Sequence, residues 1–92
     1  MNRLLWSQPA RRDLFGILDY YEGIDVDLAM RLTQAVEEEP LRLLDLPRLG
    51  SPVGRGGIRK WRVRRTPFLL YYSVRGDVVE IRRVFHHAMD RK

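Results

Sequence analysis

The sequence predicts an α+β fold: a single domain over residues 1–92 in which an N-terminal strand and a two-helix hairpin precede a three-stranded antiparallel sheet. Three observations carry this. Apolar residues recur every three or four positions from Ala10 to Leu43, the spacing of one helix face. Glycine and proline then crowd residues 45–57, as in a loop. From Ile58 onward come three short runs of strand type separated by tight turns.

Leu4-Leu5-Trp6 reads as the opening strand, and Ser7 as the cap of the first helix, with Pro9 in a first turn that does not need its N–H. Ala10, Leu14, Ile17, Leu18 and Tyr21 form that helix's apolar stripe, and Gly23 is expected to close it in the left-handed conformation. Asp25 caps a second helix whose stripe is Leu28, Leu32, Ala35, Val36 and Leu43. Pro40 should kink or break it near Glu39, because the ring clashes with the preceding turn. Residues 45–57 are expected to hold no regular element. Ile58 to Arg65 alternates as a strand, with Ile58, Lys60, Arg62 and Arg64 on one face and Arg59, Trp61, Val63 and Arg65 on the other. After Thr66-Pro67, the run Phe68 to Val74 is apolar at both parities, which suits a central strand covered on each side. Arg75-Gly76-Asp77 is a hairpin turn, Val78 to Phe85 the last strand, and His86 to Lys92 a short tail. The helical hairpin should cover one face of the sheet.

A chain of 92 residues holds one domain that buries roughly 60% of its unfolded surface, so a partner covering apolar area would add stability. Hydrophobic residues make up 45% of it, enough for a core. Cysteine is absent, which excludes disulfides and thiolate zinc sites and suits a reducing cytosol. Met1 to Ser7 lacks a signal-type apolar region, and no run reaches membrane-spanning length, so a soluble cytoplasmic protein with no membrane partner is expected. The net charge of +5 is unevenly spread: residues 1–49 sum to −3 and residues 50–92 to +8. The basic half invites a polyanion or an acidic protein segment.

Six cations fall in eleven residues: Arg55, Arg59, Lys60, Arg62, Arg64 and Arg65. A charged, aggregation-resistant edge explains some of them. A surface for phosphates or an acidic partner explains them too, with Arg82 and Arg83 joining from the last strand. His86 and His87 are adjacent on a strand and point apart, so a shared metal is not expected, and no cofactor is called for. One histidine can act as general acid or base, or simply bond to backbone. Tyr71 and Tyr72 read first as core residues, with acid–base work beside the arginines as the second reading. Trp6 and Trp61 read as packing residues, Trp61 with a claim to an interface. Gly54-Arg55-Gly56-Gly57 lacks the strand and helix that a phosphate loop needs.

Taken in order, several segments resemble the ParE branch of the RelE/ParE toxins of type II toxin–antitoxin systems. They are Trp6-Ser7-Gln8-Pro9-Ala10 with Asp13-Leu14, Leu43-Leu44-Asp45-Leu46-Pro47-Arg48-Leu49-Gly50, Ile58-Arg59 with Val63, Pro67-Phe68, Tyr72, Gly76-Asp77, and Ile81 with Arg83-Val84-Phe85-His86. Met89 stands where that family usually has arginine. The resemblance implies the β-α-α-β-β-β fold, a ParD-like antitoxin that neutralises the chain in a hetero-oligomer, and one of two targets. ParE-like toxins poison DNA gyrase by binding; RelE-like relatives cut messenger RNA on the ribosome. Gyrase is the preferred reading, with a degenerate, non-toxic basic binding module as a further alternative. For target or antitoxin binding the candidates are Arg59, Trp61, Arg62, Arg64, Arg82, Arg83 and His86; for RNA cleavage they are Arg59, Arg62, Arg82 and His86.

Overall fold

The computed structural model describes residues 2–86, and His87, Met89 and the rest of the tail lie outside the described residues. Strand β1 (Arg3–Trp6) leads into helix α1 (Gln8–Glu22), whose N-terminus Ser7 caps: its Oγ accepts from the Ala10 N–H at 3.1 Å. Asp25 caps helix α2 (Val26–Glu38) in the same way, accepting from the Leu28 N–H at 3.1 Å. Between them Gly23 is right-handed (φ −71°), not left-handed as expected. The link is so short that the Gly23 N–H still reaches Asp19 O and the Asp25 N–H reaches Tyr21 O, which leaves no room for a reversal. Pro40 breaks the second helix as predicted, into a 3₁₀ turn (Glu39–Leu41) and a short helix α3 (Arg42–Asp45).

Residues 45–57 do contain a strand, contrary to expectation. Strand β2 (Ser51–Val53) pairs antiparallel with β3 (Ile58–Arg62), and Gly54 and Gly57 supply the positive φ angles of the turn between them. Pro52 is tolerated because β2 is an edge strand. Strands β4 (Phe68–Arg75) and β5 (Val78–His86) complete a five-stranded sheet of order β1-β5-β4-β3-β2, with β1 parallel to β5 and every other pair antiparallel. Gly76, at φ 58°, turns β4 into β5.

Strand β3 ends at Arg62, three residues sooner than expected. Arg64 and Arg65 belong to the turn, which the Thr66 side chain stabilises by donating to Val63 O (2.9 Å) and accepting from the Phe68 N–H (3.0 Å). Arg65 is held at φ 67°, a conformation that costs a side-chain-bearing residue about 1–2 kcal/mol. Arg65→Gly should therefore raise stability by about 0.5–1 kcal/mol after glycine's added chain entropy. Urea denaturation checks this, and an unchanged or lower midpoint would show the turn to be unstrained.

The core lies between the helices and one face of the sheet. It joins Ala10 and Ile17 of α1, Leu32 and Val36 of α2, Leu43, and Phe68, Leu70, Tyr72, Val79, Ile81 and Val84 of the sheet. Strand β4 is central, but among the described residues it is covered on one side only. Phe68, Leu70 and Tyr72 are buried under the helices, whereas Leu69 and Tyr71 are only half-buried on the opposite face. No helix among the described residues is long and apolar enough to cross a membrane.

Candidate functional site

Strand register divides the basic residues between two faces. In β3, Arg59 lies opposite Tyr72 and Trp61 opposite Leu70, so both belong to the helix-covered face. Trp61 packs against the core, as does Trp6. The Arg59 guanidinium donates to Gly50 O at 2.6 Å and to Arg48 O at 3.4 Å. The Tyr72 hydroxyl donates to Pro47 O at 2.7 Å and accepts from the buried Gly50 N–H at 2.9 Å. Arg59 and Tyr72 thus clamp the 47–50 segment against the sheet. Burial raises the Tyr72 phenol above its ordinary pKa, opposed by the Gly50 hydrogen bond and the Arg59 charge. It stays a neutral hydroxyl with both bonding directions used.

Lys60 and Arg62 sit on the other, uncovered face, opposite Tyr71 and Leu69. Neither forms an ion pair among the described residues. Arg64, in the turn, pairs with Glu39 at 3.1 Å but is 60% exposed. Arg82 is the extra residue of a β-bulge: the partner of Tyr71 is Arg83, and that of Tyr72 is Ile81. Its guanidinium lies 3.5 Å from Glu80.

Past Ile81, strand β5 outruns β1, and side chains take over the edge. Ser7 Oγ donates to Arg82 O at 3.0 Å, and Asp13 on α1 accepts from the Val84 N–H at 3.0 Å. The same carboxylate accepts two hydrogen bonds from Arg83, at 2.7 and 3.2 Å. Burial alone would raise the Asp13 pKa, but the Arg83 and Val84 hydrogen bonds and the Arg83 charge outweigh it and hold the carboxyl below its usual value. A depressed folded pKa means this stabilisation is fully present above the unfolded value of 3.8 and is lost as pH falls through the lower folded one. Asp13→Asn should therefore lower the melting temperature at pH 7 and flatten its fall below about pH 5. The wild-type and mutant acid limbs running parallel would mean that Asp13 contributes nothing.

His86 ends β5 on the helix-covered side, opposite Phe68. Its Nε2 is hydrogen-bonded to the Tyr21 hydroxyl, its ring stacks on Tyr21 (centroids 5.7 Å, 25° between planes), and it meets Phe68 edge-on at 6.2 Å. Burial, with Tyr20 adding to it, raises the Tyr21 phenol.

Of the four residues considered for RNA cleavage, Arg59 and His86 are therefore on one face of the sheet, and Arg62 and the bulged Arg82 are off it. Arg83 is tied to Asp13 at the edge. Sequence reasoning missed Asp13, Tyr21 and Gly50 as partners of these residues. Asp13 and Tyr21 lie 70 and 65 residues from Arg83 and His86, beyond any local pattern, and Gly50, nine residues from Arg59, is brought to it by the β2–β3 hairpin. Among the described residues no group of three His, Asp or Glu side chains can hold a metal ion.

This arrangement, a helical hairpin backed onto one face of a basic five-stranded sheet whose other face is uncovered among the described residues, defines a small α+β protein. Residues 4–91 match the family model described as the ParE toxin of type II toxin–antitoxin system, parDE, and the chain belongs to that family. A solved structure titled as the chromosomal ParDE TA system from P. aeruginosa is 28% identical, with a TM-score of 0.78 over 94% of this chain and 96% of that one. The E. coli RelBE toxin–antitoxin complex shares the fold at 17% identity and a TM-score of 0.58, over 91% and 94% of the two chains. So does HP0894 from Helicobacter pylori, at 18% and 0.62 over 96% and 97%. No curated protein matches the chain.

Proposed function

We propose that this type II toxin arrests growth by binding DNA gyrase and poisoning it, without chemistry of its own, and that a ParD-like antitoxin neutralises it in the cytoplasm. The observation that carries the binding mode is the dispersal of Arg59, Arg62, Arg82 and His86. In-line RNA cleavage needs a base, an acid and charge stabilisation around one phosphate. Arg59 is instead spent on the carbonyls of Arg48 and Gly50, and His86 faces Tyr21 on the opposite side from Arg62. The similarity to a ParDE structure supports the same reading.

An antitoxin also suits the helical hairpin. Phe15, Tyr20, Ile24, Val26 and Met30 are each more than half exposed on it, and isolated soluble domains seldom leave so many large apolar side chains uncovered together. Covering them would stabilise the chain by mass action. Co-purification with the product of a neighbouring gene, and a raised melting temperature in the mixture, are the expected signs.

The target is tested by inducing the chain alone in bacteria and following labelled thymidine and leucine incorporation over the first minutes. Thymidine incorporation should fall first. An earlier fall in leucine incorporation would overturn the gyrase reading in favour of the ribosome.

A further inference from the structure

A pocket opens between the 45–49 segment, the start of β3 and the end of β4, at the other end of the sheet from the Tyr21–His86 pair. Leu46, Leu49 and Val74 give it apolar walls, and Arg59 stands among them. Leu46 and Leu49 are 52% and 39% exposed, so the walls keep apolar surface to offer. Gly57, at φ 74°, lines the mouth without a side chain to close it. The segment that carries the leucines is tied down along its length. The Leu46 N–H donates to Arg42 O and the Leu49 N–H to Leu46 O, each at 3.0 Å, and Tyr72 holds Pro47 and Gly50. The pocket is therefore preformed, which lowers the ordering cost of filling it.

We propose that this pocket binds a single carboxylate carried on an aliphatic group. Both hydrogen bonds that fix Arg59 leave from one nitrogen, Nη1. Its Nε and Nη2 hydrogens have no partner among the described residues, and Arg59 forms no ion pair there. The half-buried guanidinium is thus held by one corner while its Nε–Nη2 edge, the fork that takes a carboxylate in two parallel hydrogen bonds, stays open. Leu46, Leu49 and Val74 would receive the aliphatic body. Charge sets the valence of the ligand: Arg48 and Arg59 face one anion, Asp45, which suits one negative charge and opposes a phosphate dianion or a polyanion. A neutral alcohol would fill the walls but leave the fork unanswered. A free aliphatic acid and the end of a peptide that finishes in an apolar residue share the required chemistry. The proposal does not rest on the gyrase reading.

The test is an NMR titration of the full chain, read at side-chain methyls and arginine Nε–H groups, with octanoate, N-acetyl-alanyl-leucine, its C-terminal amide, octanol and octyl phosphate. The two carboxylates should saturably shift the Arg59 Nε–H and the methyls of Leu46, Leu49 and Val74. They should bind about tenfold more tightly than the amide and octanol, the value of a charge-assisted hydrogen bond. Tighter binding of octanoate would support the proposal with a free acid as ligand, and tighter binding of the peptide would support it with a chain end. Leu49→Glu, at an exposed position, sets a competing carboxylate on the rim and should weaken both about tenfold at an unchanged melting temperature. Arg59→Lys keeps the charge but loses the fork, and should weaken both by a similar factor; because it also loosens the 47–50 clamp, Leu49→Glu decides if that variant unfolds. Equal or tighter binding of the amide, octanol or octyl phosphate would overturn the proposal. So would shifts centred on Lys60 and Arg62, the lack of any saturable shift, or affinities indifferent to Leu49→Glu.

Discussion

Gly50→Ala should cost about 3 kcal/mol and lower the melting temperature by about 12–24 °C. A Cβ there would stand 2.6 Å from the carbonyl oxygen of Lys60 and 2.8 Å from Cε1 and the hydroxyl of Tyr72. Neither neighbour can give way cheaply. Lys60 is fixed in the β2–β3 ladder opposite Ser51, and the fully buried Tyr72 ring sits in the core. Moving the Tyr72 hydroxyl would also release the Gly50 N–H and Pro47 O that it satisfies, each an expensive group to leave buried and unpaired. Thermal unfolding followed by circular dichroism measures the effect. Tyr72→Phe should cost about 2 kcal/mol by itself, and the double variant less than the sum, because both changes loosen the same clamp. A Gly50→Ala protein that melts with the wild type would show that the 47–50 segment is not held where the clamp puts it.

Phe68→Ala should cost about 3–5 kcal/mol, the range for removing a fully buried phenyl ring from a core that cannot close over the gap. Phe68 has no exposed surface, and it meets Tyr21 edge-on at 6.3 Å and His86 at 6.2 Å. The substitution therefore empties the floor beneath the Tyr21–His86 pair as well as the core. Domains of this size keep only a narrow margin of stability, about 5–15 kcal/mol, so the variant should be partly unfolded at moderate urea. Its denaturation midpoint, set against that of Phe68→Leu, gives the measurement. A cost below about 1 kcal/mol would mean that α1 can collapse onto the sheet.

The fold was legible where local chemistry decides it. Ser7 and Asp25 cap their helices, Pro40 breaks the second helix, and Gly76 turns the last hairpin, each through its own backbone or side-chain preference. Strand β2 was not legible, because a three-residue edge strand containing proline is indistinguishable from loop until β3 offers it a partner. The parallel pairing of β1 with β5 joins residues some 75 positions apart and leaves no local trace. The division of the basic residues turns on the bulge at Arg82. Buried positions in β5 run Val79, Ile81, Val84, a step of two and then of three. That break in period marks the bulge, and it sends Arg83 and Phe85 to the uncovered face; read as unbroken alternation, it would have put Arg83 in the core. Arg59 was singled out for its charge, yet its position opposite the core residue Tyr72 makes it a clamp for the 47–50 segment. Whether an arginine on a strand faces solvent or loop carbonyls depends on register, which composition does not contain.

Purified gyrase with relaxed plasmid and ATP, incubated with the full chain, provides the most direct measurement. A toxin that poisons gyrase by binding should block supercoiling and build up linear, cleaved DNA, and should leave added RNA intact. Addition of the antitoxin should reverse both effects on the DNA. Undisturbed supercoiling with no linear product, together with messenger RNA cut on added ribosomes, would contradict the reading and return Arg62, Arg82 and His86 to a catalytic role.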